Sequence, residues 1–566
     1  MSMNTDRVHV APPPAKARAF AAIFIATLVI LPLLVIEGTV RLLGWASPRD
    51  PYISFGRTTS FFSDFKEDGT AYKVVNGRDL YRERELTFSR DKPNGAVRIF
   101  FVGGSASAGW PHPDGETYTD YLESALYRAF PDREIEILNI SAHAYAAYRV
   151  RLIVDEILAF QPDLIVIYSG NNEFVEQRQY AVADNWYDPV ARIANLSTAY
   201  RLLRGSPALS SLFPTSSLSA EARGGIAMEQ WSKIEGLPAT LRTDAAQFQK
   251  VKEHYAFSIR SMLQGAKDLG IPAVLLTVPT NTRDWQPNVS AERAEGEPAR
   301  TWRKAYRAGR AAFIRAQNEQ AVDWLQKAVD ADPGHAGTHY HLARALEASG
   351  RLADANVSYD RARDLDANPF RALTAFNDIL RGLAREFDHV HLVDADRLFR
   401  DASAPRAPGF DLFLDYVHPT RRGNIILARA VFDSILESGI LGAKEVKFEY
   451  TPEAGDDGTV YDEGKDQDLQ RLLLILAMMM HQHETAVAIA ERILANPVGL
   501  EAFDEEEART VTQARILFAR LVAMERVELL TGPVARDEKD RLNAELDALY
   551  KETFGNYLEY QRQRGK

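Results

Sequence analysis

Among the 566 residues there is no cysteine. That absence removes disulfides, thiolate metal sites and a cysteine nucleophile, and it suits a reducing or an oxidising compartment alike. Past the amino terminus there is also no block of basic residues. Lys and Arg number 67 against 78 Asp and Glu, a net charge of −11. A chain of that sign has no patch with which to neutralise a phosphate backbone, which argues against nucleic acid as a partner. Long apolar runs are few. The one that stands out, AFAAIFIATLVILPLLVI from Ala19 to Ile36, stays uncharged for 18 residues, the lower limit for a membrane span. Arg7, Lys16 and Arg18 precede it and should remain in the cytoplasm. Glu37 and Arg41 follow, with no small-x-small cleavage site nearby. The expectation is an uncleaved anchor over 19–36, a cytoplasmic segment 1–18, and everything past about residue 45 on the far side. In a bacterium that is the periplasmic face.

What is present is globular in character: 46% hydrophobic and 26% charged residues, at a length that suits about three or four domains. Residues 46 to 95 are polar and aromatic without a strong period. Then short β-rich runs alternate with helical patterns. VRIFFVGG (97–104) precedes a helix over about 117–130, EIEILNI (134–140) a helix over about 148–160, and DLIVIYSG (163–170) is a third strand. A poorly patterned stretch runs to about 244, and a helix to Leu269 leads into PAVLLTVPTN (272–281). HVHLVDA (389–395) reads as a fifth strand and NIILARAVFDSIL (424–436) as a closing helix. Such alternation predicts an α/β fold, a parallel sheet with helices on both faces.

Between the fourth and fifth strands the pattern changes. DWLQKAVDADPGH and VSYDRARDLDANP lie 34 residues apart, placing Ala321, Ala328 and Pro333 in step with Ala355, Ala362 and Ala367. That period resembles tetratricopeptide repeats, in two units over 302–335 and 336–369, with a helix from Arg371 to Glu386 as a cap. The fold domain is thus split into 46–301 and 370–440, and a helical, acidic segment occupies 441–566. Within it DLQRLLLILAMMMHQHETAVAIAERILANP (468–497) reads as a helical hairpin. Met478, Met479 and Met480 read as core, and His481 and His483, two apart, as surface residues.

The first strand ends abruptly at Gly103-Gly104-Ser105-Ala106-Ser107. One reading is a strand-to-helix turn in which a serine caps the helix. The other is a serine held at the carboxyl edge of a parallel sheet, where such folds bind ligands. A serine needs a base to take its proton. DLFLDYVHPTRRGN (411–424) offers Asp415 and His418, spaced so that the carboxylate can hold Nδ1 and leave Nε2 for serine. The pair also reads as a helix-start histidine beside a surface cap. YSGNNEF (168–174) and NISAHAYAAYR (139–149) end the other two strands in small and amide residues that can supply oxyanion donors or simply turn the chain. Asn281 and Arg283, just past the fourth strand, are candidate substrate contacts. His112 and His143 either line the cleft or pack, and Arg149, at a helix start, reads as structural.

These blocks, in this order, resemble the SGNH (GDSL-type) hydrolase family over residues 98 to about 438. Gly103 to Ser107 match its Gly-Asp-Ser block, and Asn139 to Ala144 the block that supplies an oxyanion glycine. Gly170-Asn171-Asn172-Glu173 match Gly-x-Asn-Asp, and Asp415 with His418 the final Asp-x-x-His. The resemblance implies a flavodoxin-like three-layer sandwich and a Ser105–His418–Asp415 triad. It also implies an oxyanion hole from the Ser105 and Ala144 N–H groups and the Asn172 side chain, with no cofactor or metal. Gly104 departs from the family aspartate, Ala144 from glycine and Glu173 from aspartate; a side chain at 144 narrows the accessible φ and ψ. The anchor followed by VRLLGW, the GNNEF variant and PTNTRDW (279–285) look like a bacterial membrane-anchored branch with inserted tetratricopeptide repeats. The implied function is a membrane-anchored esterase or deacylase acting on acyl esters, of a glycan or a lipid, in the cell envelope. Two alternatives stand beside it. One is an O-acyltransferase modifying an envelope glycan; the other is a tethered scaffold with a vestigial site. The insertion is expected to dock a protein partner or to present substrate to Ser105.

Overall fold

Seven consecutive buried residues, Val97–Gly103, make an inner strand of the main sheet. The computed structural model describes residues 31–32, 34–39, 61–67, 70–75, 86–112, 115–175, 239–442, 445–450, 473–474, 477, 482–495 and 505–531, with a few helical positions between 540 and 549. Two compact units share the chain: Met1–Ser60 with Gln179–Ala220, and Phe61–Arg178 with Glu221–Lys566. In the first, residues 34–39 are helical and Leu34, Val35 and Ile36 are exposed. Most of the anchor expected over 19–36 lies outside the described residues, among which no helix is long and apolar enough to cross a membrane.

The strands, all in the second unit, are β1 Phe62–Glu67, β2 Thr70–Val75, β3 Thr87–Ser89, β4 Val97–Gly103, β5 Ile135–Asn139, β6 Leu164–Tyr168, β7 Ala273–Leu276 and β8 Val390–Val393. The first three form a small antiparallel sheet, Phe62 facing Val75 and Tyr72 facing Ser89. The sequence, showing no period there, did not predict it. Aromatic edges hold it: Phe88 lies 5.9 Å from Phe62 and 5.7 Å from Phe100 of β4, ring centre to ring centre. The other five strands are parallel in the order β5-β4-β6-β7-β8. In sheet numbering this is 2-1-3-4-5, the doubly wound order found in flavodoxin, whose switch point falls between the first and third strands. Chain leaving β4 and β6 therefore meets at one crevice.

The helices are α1 Ser105–Ala108, α2 Tyr118–Ala129, α3 Ala147–Ile157, α4 Ala245–Asp268, α5 Gly296–Ile314, α6 Asn318–Ala331, α7 Ala336–Ala348, α8 Leu352–Leu365, α9 Thr374–Glu386, α10 Ala395–Ser403, α11 Arg421–Glu437, α12 His483–Ala495 and α13 Glu505–Thr531. Helices α2 and α11 pack together on the sheet, and α3, α4 and α9 form a second set against it. The closing helix α11 begins at Arg421, earlier than its apolar pattern, because the Thr420 hydroxyl caps it at the Gly423 N–H. The helix expected to cap the repeats is α9, and it does not do so. Its buried Phe376, Leu380 and Leu383 belong to the layer against β7 and β8. Asn377 makes two hydrogen bonds to the backbone of Val278, at 2.7 and 3.0 Å, and fixes α9 to the exit of β7.

The insertion is two helical hairpins, α5–α6 and α7–α8. It starts at Gly296 rather than 302. The 34-residue spacing holds in three dimensions: α6 and α8 start at Asn318 and Leu352, and Ala321, Ala328, Ala355 and Ala362 are all buried at the helix contacts. His335 caps α7, its Nδ1 accepting from the Thr338 N–H at 3.1 Å while its ring lies 4.5 Å from that of Trp302. Burial pushes this imidazole down to about 4. The unfolded chain protonates near pH 6.5, so between these values the unfolded state binds more protons and stability falls as pH falls. We expect His335 to cost on the order of 3 kcal/mol between neutrality and pH 4. Urea unfolding at pH 7 and pH 4.5 should show a shallower pH dependence in His335→Asn, whose amide caps without titrating. Equal slopes would remove His335 as the cause.

The segment 441–566 is not set apart from the fold. Leu473, Ala477, Ile489, Phe518 and Leu521 share one apolar cluster with Trp285, Phe370, Tyr416 and Val417. His483, expected at the surface, is half-buried with its ring 5.6 Å from Phe518. Met478, Met479, Met480 and His481 lie outside the described residues.

Candidate active site

The end of β4 shows why two glycines stand there. A Cβ at Gly103 would collide with the Tyr168 carbonyl of the neighbouring strand. Gly104 is extended (φ −89°, ψ −163°), a conformation open to any residue, but a Cβ there would come within 2.5 Å of Asn172 Nδ2. Space, not backbone freedom, keeps position 104 bare. Ser105 is the first residue of α1, so its N–H has no carbonyl within the helix to bond.

Behind the turn that carries Ser105 runs a buried polar chain. Ser141 Oγ donates to Ser107 Oγ at 2.8 Å, and Ser107 Oγ lies 3.1 Å from the Tyr118 hydroxyl. Burial pushes Tyr118 above its ordinary range, so the phenol stays protonated. Asn139 donates to the Ser107 carbonyl (2.9 Å) and accepts from the Ser141 N–H (3.1 Å). The 139–144 segment is thereby stapled to the turn that carries Ser105. Ala144 follows in the left-handed region, φ 58°. The backbone thus takes a glycine-like conformation with alanine, at a cost of about 1–2 kcal/mol.

Asp415 is fully buried and His418 nearly so. One carboxylate oxygen of Asp415 accepts the Val417 and His418 backbone N–H groups, both at 2.8 Å. The other accepts from His418 Nδ1 at 2.6 Å. A neutral ring so held carries its proton on Nδ1 and leaves Nε2 to accept. Nε2 lies 2.8 Å from Ser105 Oγ. The serine, histidine and aspartate singled out in the sequence are therefore joined in one relay, across 313 residues of chain.

Asn172 and Asn171 differ in what they hold. Asn172 Nδ2 donates to the Tyr145 carbonyl at 3.1 Å, just past Ala144, and sits beside Gly104. An amide nitrogen has two hydrogens, so a second remains for a ligand. Asn171 instead accepts from the Ala372 N–H at 3.0 Å and ties β6 to the approach of α9. Glu173 is buried and accepts from the Ala147 N–H at 2.8 Å, capping α3 where a carboxylate is favoured.

Two expected substrate contacts fall elsewhere. Asn281 is fully buried: Nδ2 donates to the Asp415 carbonyl (2.8 Å) and its N–H to the Tyr416 carbonyl (3.0 Å), so it braces the loop that holds the histidine. Arg283 is engaged by Asp284 and Asp411, each at 2.9 Å. Neither side chain is free to meet a ligand. His112 is a packing residue as well, its Nε2 2.7 Å from the Pro419 carbonyl, while His143 is half-buried 6.2 Å from Trp110. Arg149 lies over the ring of Tyr145 at 5.2 Å, a structural placement. The residue sequence reasoning missed is Trp110, whose ring meets His418 edgewise at 4.5 Å and walls the imidazole. Its place five residues after the nucleophile was the one signal, and a tryptophan in a turn reads as core.

No protein-family profile and no curated protein matches the chain. Among solved structures it is similar to an acetylxylan esterase from Geobacillus stearothermophilus, at 14% identity and TM-score 0.28, covering 60% of this chain and 94% of that one. A second acetyl xylan esterase aligns at 13% identity and TM-score 0.27 over 60% and 100% of the two chains. An alpha/beta hydrolase enzyme from the metagenome of Lake Arreo, Spain, aligns at 12% and 0.24 over 61% and 97%. Scores this low carry no weight for function, which is left to the geometry of the site.

Proposed function

We propose that this chain is a serine ester hydrolase of the SGNH type. The observation that carries the reading is the relay Asp415 Oδ2–His418 Nδ1 at 2.6 Å and His418 Nε2–Ser105 Oγ at 2.8 Å, set at the carboxyl ends of a parallel sheet. Ser105 Oγ attacks an ester carbonyl and its proton passes to Nε2; Asp415 stabilises the imidazolium. The proton then goes to the departing alcohol, leaving an acyl group on Ser105. Water, activated by the same Nε2, attacks the acyl carbon and releases the acid. The Ser105 and Ala144 N–H groups and the second hydrogen of Asn172 Nδ2 are the donors we assign to the oxyanion.

The reading extends to the rest of the chain. Residues 19–36 are proposed as a single membrane anchor that places the catalytic unit in a bacterial periplasm. The hairpins over 296–365 are proposed as tetratricopeptide-type repeats, a surface suited to a protein partner. The substrate class is an acyl ester of an envelope glycan or lipid.

Water and a sugar hydroxyl compete for the same acyl-enzyme. The full-length protein in detergent, given short- and long-chain acyl esters with and without oligosaccharide acceptors, should release free acid at a rate indifferent to the acceptor. Acid release suppressed by the acceptor, with acylated sugar appearing, would convert the assignment to an O-acyltransferase. No turnover on any ester would leave a scaffold.

A further inference from the structure

Away from the triad, four helices line a partly open pocket of about 230 Å³: α5 and α7 of the insertion, α12 and α13 of the carboxyl-terminal segment. Its charge is one-sided. Arg310, Arg344 and Arg526 line it with a single carboxylate, Glu484. Glu484 is taken by Arg344 at 2.8 Å and lies 4.0 Å from Arg526. Arg310 has no carboxylate partner among the described residues; its guanidinium lies 5.8 Å from the Tyr306 ring. The remaining ionisable group, His341, is held well below its usual range by burial and by Arg310 and Arg344, so it adds no charge at neutral pH. Three guanidiniums against one carboxylate leave an excess of two positive charges around one partly open pocket, with Arg526 at its exposed rim.

We propose that this cavity binds a small organic phosphate monoester. A phosphate monoester carries about 1.5 to 2 negative charges at neutral pH, which matches that excess. Its oxygens suit the planar fork of guanidinium groups better than a single carboxylate does. The volume has room for the phosphate and a few carbons, since a cavity of roughly 150 Å³ takes benzene. Phe313, under the Arg344 guanidinium at 5.3 Å, offers a carbon skeleton an apolar wall. Because the lining comes from both the insertion and the carboxyl-terminal helices, the bound anion would also join them. The proposal does not depend on the ester hydrolase reading, and its test does not use ester turnover as the readout.

Titration calorimetry of the full-length protein in detergent, with glycerol 3-phosphate as probe, tests it. The wild type should bind saturably with one site. Arg310→Met, at a half-exposed position, should fold normally and bind roughly 10- to 100-fold more weakly, the scale of one lost charged hydrogen bond. Glu484→Gln frees two arginines and should bind more tightly. Ester turnover should be unchanged in Arg310→Met. No saturable binding, equal affinity in wild type and Arg310→Met, or weaker binding by a folded Glu484→Gln would overturn the site. Succinate or phosphatidate vesicles binding while glycerol 3-phosphate is silent would overturn it too, assigning a dicarboxylate or a lipid headgroup instead.

Discussion

Ser105→Ala is expected to abolish both ester turnover and labelling by a fluorophosphonate probe. Among the described serines only Ser105 has an imidazole nitrogen held at 2.8 Å with a buried carboxylate behind it. An isolated hydroxyl does not react with such probes at a useful rate, because its proton has nowhere to go. Loss of the nucleophile or the base in a triad of this kind lowers turnover on the order of 10⁶-fold, and the two losses do not add. His418→Ala should therefore match Ser105→Ala, and the double variant should be no worse. Asp415→Asn should cost about 10⁴-fold, since an amide turned toward Nδ1 favours the wrong imidazole tautomer. Intact-mass and peptide mapping of the labelled full-length protein is the measurement. Labelling at another serine, or undiminished labelling in His418→Ala, would end the triad reading.

Asn172→Ala should lower turnover ~10²–10³-fold, the usual cost of an oxyanion donor, and lose about 1–3 kcal/mol of stability with its bond to the Tyr145 carbonyl. Asn171→Ala should share the loss of stability but not the loss of turnover. Its carbonyl oxygen satisfies the buried Ala372 N–H, so its loss should cost about 1–3 kcal/mol of stability and little turnover. Gly104→Ala provides a third point on the same axis. The new methyl group must push Asn172 Nδ2 away, and that nitrogen is the mobile end of a side chain, so the fold should survive while turnover falls toward the Asn172→Ala value. Turnover and urea midpoints for the three variants decide it. Equal turnover in Asn172→Ala and Asn171→Ala would mean that neither amide serves the oxyanion.

The parallel sheet was legible because its three inner strands β4, β6 and β7 are buried on both faces and so read as unbroken apolar runs, as in Ile99 to Val102. The serine and histidine that the structure brings together were legible because a glycine pair after a strand and an Asp-x-x-His spacing are local patterns. The antiparallel strands over 62–89 were not, since their register depends on aromatics contributed by β4 and the chain near Phe160. Asn281 was read as facing a ligand because it follows a strand at the carboxyl edge. Nothing local revealed that the loop carrying Asp415 would fold over it and accept hydrogen bonds from its Nδ2 and its N–H. The hairpin period was legible from alanines at fixed offsets. The start of α5 was not, because Gly296 and Pro298 read as a loop.

The 313-position separation of Ser105 and His418 imposes a timetable on the newborn chain. At roughly 5–20 residues per second of synthesis, the base is made about 15 to 60 seconds after the nucleophile. Two helical hairpins are completed in the interval. Throughout it Ser105 has no imidazole to take its proton. On the ester hydrolase reading proposed above, a chain truncated anywhere before Asp415 would be made without its relay.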